Sequence, residues 1–180
     1  MERQTVTVPS GELVVRLDGP DSGHAVLLLP DGDGAAESFD ATAARLATSD
    51  LRTVVLEPGS NPDDGDVLSL LDALGLPWVN LVGRGSGADR AWSLAARTFG
   101  RVSSLVVIGR GHPAVTGDSA CPAVELRTTM VVEDAAAQDL ASASSRFVYG
   151  DYRVVTLDSA DPEAAAAALA TEIVMRTSAW

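Results

Sequence analysis

The chain has 180 residues, 46% of them apolar but only 4% aromatic, with a formal net charge of −12. That length suits one domain packed mainly by Ala, Val and Leu, and is short for two. The charge argues against nucleic acid and anionic membranes as partners, because long-range repulsion opposes both encounters. All thirteen basic residues are Arg, and no cluster of them suggests a phosphate clamp. The single Cys121 rules out an internal disulfide and speaks against a thiolate metal site. Neither a metal nor a cofactor is expected. Met1-Glu2-Arg3-Gln4 leads into an alternating strand with no apolar targeting core, and no run approaches membrane-spanning length. The expectation is a soluble cytoplasmic protein.

In chain order, residues 5–8 and 12–17 flank Pro9-Ser10-Gly11 and predict an antiparallel hairpin. Residues 25–29 are continuously apolar, as in a strand covered on both faces. A helix is expected over 38–47, with Phe39, Ala43 and Leu46 on one stripe. Residues 53–56 form another buried strand, stopped by Pro58-Gly59. After a polar loop, Leu68, Leu71 and Leu74 predict a helix ended by Gly75 and Pro77. A strand over 79–82 precedes a helix with Ala88, Ala91, Trp92, Ala95 and Phe99 on one face; Trp92 and Trp180 read as packing residues. Strands are expected at 104–108, 123–126 and 153–157, with a helix over 133–142 between the last two. Asp161 and Pro162 then start a final helix as N-cap and first position, with Leu169, Ile173 and Val174 facing inward. Such alternation predicts one α/β domain over 1–180. Its sheet has about eight strands and is mostly parallel, with an antiparallel N-terminal hairpin and helices on both faces.

The most informative stretch is Gly83-Arg84-Gly85-Ser86-Gly87, a glycine turn between a strand and a helix. A G-x-S-x-G nucleophile elbow requires serine at the middle position, and glycine stands there instead. Ser86 comes one residue late, and that displacement turns a side chain by about 100° at a helix start.

Several segments in order resemble the α/β-hydrolase family. Residues 25–32, ending in Pro30-Asp31-Gly32, look like the strand and loop that normally end in His-Gly. Leu70-Leu71-Asp72-Ala73-Leu74-Gly75 looks like the helix before the elbow. Asn80-Leu81-Val82-Gly83 is similar to the elbow strand, and 101–109 to the strand after it. The resemblance covers most of the chain and is strongest over 25–113. It implies a nucleophile at the position of Gly85, an acid after the strand placed at 123–126, and a histidine after the last strand. Those positions hold glycine, Arg127-Thr128-Thr129 and Asp158-Ser159-Ala160. Glu133 and Asp134 come later and read as a charge pair at a helix start. Only residues 109–120 stand where the family often inserts a cap, so a shallow, capless pocket is expected.

Each feature also has an architectural reading. Gly83, Gly85 and Gly87 suit a tight turn packed closely against its surroundings. They also satisfy Gly83-x-Gly85-x-x-Ala88, a dinucleotide fingerprint, with Arg110 positioned to receive a 2′-phosphate. His24 reads as a solvated turn residue. His112 lies where strand ends meet the expected pocket and has the unperturbed pKa of a base. Asp31 and Asp33 read as turn formers or as residues at the pocket mouth. Arg84 could draw an anion or pair with Asp31, Asp33 or Asp89.

The pocket is therefore expected to be lined by Asp31, Gly32, Arg84, Gly85, Ser86 and His112, with His112 and Ser86 as candidates for residual chemistry. The sequence favours a catalytically degenerate α/β-hydrolase-fold protein that binds or scaffolds a small molecule or protein, as a homodimer or beside an active relative. Two alternatives stay open. One is a lyase, isomerase or cyclase using His112 with Asp31 or Arg84; the other is NADP binding through Gly83-Arg84-Gly85.

Overall fold

The structure, a computed structural model, describes residues 1–21, 23–35, 37–157 and 160–177. Trp180, Asp158 and Ser159 lie outside the described residues. The hairpin is formed by β1 (Glu2–Val8) and β2 (Gly11–Asp18). Strands and helices then alternate: β3 (Ala25–Leu29), α1 (Asp40–Ala47), β4 (Arg52–Leu56), α2 (Asp64–Ala73), β5 (Val79–Arg84), α3 (Ser86–Arg97) and β6 (Val102–Ile108). The short α4 (Pro113–Thr116), β7 (Arg127–Val132), α5 (Ala135–Ser144), β8 (Tyr152–Thr156) and α6 (Pro162–Thr177) complete the chain.

These strands form one eight-stranded sheet in the order β1-β2-β4-β3-β5-β6-β7-β8. Pairing is antiparallel from β1 to β4 and parallel from β4 to β8. Successive side chains of a strand point to opposite faces, so β3 serves two cores. Leu27 and Leu29 join Val67, Leu70, Leu71, Ala91 and Trp92 from α2 and α3 on one side. Val26 and Leu28 join Phe39, Ala43 and Leu46 beside α1, and Leu169 and Ile173 of α6, on the other. Each fully buried Leu or Phe contributes roughly 1.5–3 kcal/mol. Burial on both faces is why the central strands carry unbroken apolar runs. No helix among the described residues is long and apolar enough to cross a membrane.

Three expectations change. The strand placed at 123–126 is not formed; the sheet continues instead through 127–132, and 123–126 retains only a bridge from Val124 to Val148. Thr128 and Thr129 are fully buried, and the β-branched character of this stretch suits a covered strand despite its hydroxyls. Phe99 does not join the apolar face of α3. The helix stops at Arg97, Thr98 leaves helical geometry at φ −110 and ψ 72, and Phe99 stands 99% exposed. In α2 the buried set is Val67, Leu70, Leu71 and Leu74, while Leu68 is only half-buried.

The hairpin turn is tied to α2 by one buried carboxylate. Asp66 accepts from the Ser10 backbone N–H at 3.0 Å and the Ser10 hydroxyl at 2.6 Å. It also completes a reciprocal cap with Asp63, whose side chain accepts from the Asp66 N–H at 2.8 Å. Asp66→Ala leaves the Asp63 side chain capping the helix but removes the acceptor for the Ser10 and Asp63 donors, so it should cost about 1–2 kcal/mol in urea unfolding. A change below about 0.5 kcal/mol would show that the hairpin does not depend on this anchor.

Candidate active-site cleft

The loops that follow β3 and β5 diverge because their helices, α1 and α3, cover opposite faces of the sheet. Adjacent parallel strands with that arrangement leave a crevice at their carboxyl ends. A cleft of about 270 Å³ lies there, lined by residues that include Leu29, Leu56, Glu57, Ser86 and Arg90. Gly32, Asp33, Ser60 and Asn61 also border it. Between β6 and β7 the described chain offers only the four-residue α4, so no cap domain covers the mouth.

The β5–α3 turn is built by close approach. A β-carbon on Gly83 would lie 2.7 Å from the Cα of Ala88, and one on Gly87 would lie 2.6 Å from the carbonyl carbon of Leu29. Neither position admits a side chain, which settles the architectural role of both glycines. Gly85, between them, has φ 57 and ψ −128, a combination that residues bearing a β-carbon reach only under strain. The turn therefore keeps a sharp elbow geometry at its apex.

What occupies the space beyond the apex is the carboxylate of Asp31. A β-carbon on Gly85 would overlap the Asp31 carboxyl group and lie 2.8 Å from its Cβ. The Asp31 Oδ1 accepts from the Ser86 N–H at 3.3 Å and from the Ser86 hydroxyl at 3.0 Å. The Ser86 oxygen in turn accepts from the Gly32 N–H at 2.8 Å. The Ser86 backbone N–H, followed by its hydroxyl, holds the Asp31 carboxyl below its ordinary pKa, with Arg110 adding a smaller pull. Asp31, Gly32, Gly85 and Ser86 are thus brought together, but of the six residues expected to line the pocket only Gly32 and Ser86 border the cleft. Sequence reasoning missed that Asp31 reaches into the space a residue-85 side chain would fill, because that contact spans two loops far apart in the chain.

Arg84 turns away from this group and pairs with Glu133 at 3.2 Å. With β7 ending at Val132, Glu133 follows that strand directly. The residue after the strand is thus Glu133, and Arg127-Thr128-Thr129, expected to follow a strand at 123–126, lie within the strand itself. Asp134 caps α5 through the Ala137 N–H at 2.7 Å. Arg110 approaches Asp89 at 4.0 Å.

His112 is not delivered to the cleft. It is fully buried, stacked on Phe147 at 4.8 Å between ring centroids and edge-on to Trp92 at 5.2 Å. Its Nδ1 accepts from the Ala114 N–H at 3.2 Å. Its Nε2 lies 2.9 Å from the carbonyl oxygen of Pro122, which can only accept, so Nε2 carries the proton. Both ring nitrogens are therefore engaged in holding the α4 segment. Burial pushes its pKa below the ordinary histidine value. His24 precedes β3, at the opposite end of the sheet from the cleft, and meets Trp78 edge-on at 5.6 Å. Trp92 is a packing residue whose indole N–H donates to the Arg110 carbonyl at 3.0 Å.

No protein-family profile and no curated protein sequence matches this chain. Solved structures do. Epoxide hydrolase A from Mycobacterium thermoresistibile superposes with a TM-score of 0.81 at 13% identity, covering 97% of this chain and 98% of that one. Dienelactone hydrolase from Anabaena variabilis gives 0.77 at 20% identity, covering 97% and 95%. The enol-lactonase from Burkholderia xenovorans gives 0.70 at 17%, covering 98% and 100%. Together with the strand order, these similarities establish that the chain has the α/β-hydrolase fold.

Two measurements test this geometry. Gly85→Ala should cost roughly 2–4 kcal/mol, from its positive φ and its overlap with Asp31. Adding Asp31→Gly should recover part of that cost in a double-mutant cycle; costs additive within about 0.3 kcal/mol would refute the contact. The second concerns His112, which folds as a neutral group with a lowered pKa. The unfolded chain takes up a proton below about pH 6.5 that the native state resists, so stability should fall as pH drops through that value. His112→Phe should lower stability at pH 7 yet flatten the slope between about pH 7 and 5. An unchanged slope would contradict a buried neutral imidazole.

Proposed function

We propose that this chain is a non-hydrolytic binding protein built on the α/β-hydrolase fold, holding a small polar molecule in the cleft at the ends of β3, β4 and β5. The observation that carries this reading is the Asp31 carboxylate beyond the elbow apex. Serine hydrolysis needs an attacking oxygen there, backed by a base that can remove its proton. Asp31 instead presents an anion with lowered proton affinity, which makes it a poor base toward a hydroxyl. Ser86 donates to Asp31 and accepts from Gly32, so its hydroxyl is committed in both directions. The chain has two histidines. One is locked beneath α4 and the other precedes β3, so neither supports Ser86 as a base.

The same anion bears on dinucleotide binding. A pyrophosphate at the N-terminus of α3 would have to displace or approach Asp31, which already accepts the first helix N–H. Asp33, Glu57 and Arg90 line the cleft; Glu57 is already paired with Arg3 at 2.7 Å, and Arg90 contacts Asn61. With Glu57 compensated by Arg3, the remaining Asp33 and Arg90 offset each other, which favours a neutral polar ligand. Leu29, Pro30, Leu56 and Pro58 provide the apolar wall against which its carbon skeleton would pack.

A fluorophosphonate probe should leave the protein unlabelled, and p-nitrophenyl acetate should not be turned over above background. Stoichiometric labelling at Ser86 would overturn the reading. In a thermal-shift screen of polyols and small lactones, binders should stabilise the wild type and lose their effect in Ser60→Trp, which fills the cleft. A ligand at 100 times its Kd stabilises by about 2.7 kcal/mol. NADPH should give no shift.

A further inference from the structure

We propose that the end of the molecule opposite the cleft binds a second copy of this chain, with Phe99 of each copy seated in a groove of the other. The groove, of about 500 Å³, lies where α3 ends and β6 and β7 begin. Ala95, Ala96, Val102, Pro122, Ala123 and Leu126 supply its apolar surface. Phe99 stands on its border, 99% exposed, in a chain with only three phenylalanines. Tyr149, 74% exposed, adds a second aromatic nearby, since its N–H donates to the Val124 carbonyl at 2.8 Å.

Two observations favour a second copy over a partner of another sequence. Knob and hole lie side by side on one patch, the condition for an isologous contact about a two-fold axis. The rim also carries both signs of charge, Arg97 beside α3 and Glu125 beside β7. Among the described residues, nine ion pairs engage other arginines, whereas Arg97 and Glu125 are each in none of them. In the proposed dimer a two-fold axis through the groove would pair Arg97 of one copy with Glu125 of the other, twice. Against association, two copies with net charge −12 repel at long range. A contact between them must therefore rest on short-range apolar burial, and an aromatic anchor in a small-residue groove provides it.

Sedimentation velocity of the full chain, from micromolar to near-millimolar concentration, tests this. The wild type should form a species of twice the 18.6 kDa chain mass. Phe99→Asp should raise the dissociation constant at least about thirtyfold while leaving the circular dichroism spectrum unchanged. Arg97→Glu should also weaken the dimer, and adding Glu125→Arg should restore it. A wild type that stays monomeric throughout, or a dimer indifferent to Phe99→Asp, overturns the proposal. Failure of the charge exchange to restore a dimer weakened by Arg97→Glu overturns the two-fold arrangement.

Discussion

A single residue, Gly85, separates β5 from helix α3, and this is possible only because the backbone around Gly83 and Gly87 packs against its neighbours without side chains between them. Gly87 lies against the end of β3, and Gly83 against the first turn of α3. That contact aims the first N–H of the helix at the loop after β3, where a negative charge is favoured. The position of Asp31, the orientation of Ser86 and the shape of the cleft all follow from it. In a hydrolase such a turn presents a nucleophile; here the same turn receives a carboxylate from the chain itself.

The sheet topology explains why the cleft is open. β3 and β5 are neighbours, but the helices after them cover opposite faces, so their loops part and leave a crevice. With only α4 between β6 and β7, nothing in that connection reaches over the crevice. A ligand there would remain partly in contact with water, and the walls would hold it by a few polar contacts rather than by enclosure.

His112 shows how position in the chain can mislead. It follows the strand that ends at Ile108 and so belongs, by order alone, to the pocket rim. The chain after Arg110 instead turns inward, and Phe147 and Trp92 sandwich the imidazole while Ala114 and Pro122 satisfy its two nitrogens. A histidine so enclosed stabilises a loop in its neutral form and has no nitrogen left for proton transfer.

The sequence by itself determined the α/β class, the antiparallel hairpin and the inner strands β3 to β6, because burial on both faces demands unbroken apolar runs. It also determined that no residue other than glycine stands at the elbow apex, since that is a matter of identity. Only the tertiary structure decided where β7 lies, because Ala123-Val124-Glu125-Leu126 and Arg127-Thr128-Thr129 are separated by pairing with β6 and β8 and not by local pattern. That register moved Glu133 to the end of a strand. Tertiary structure likewise decided that Phe99 faces solvent, through a helix that stops two residues early, and that Asp31 meets Gly85 across 54 residues of chain. Helical and strand periods are local and can be read along the sequence; contacts between loops depend on how the sheet sets its strands side by side.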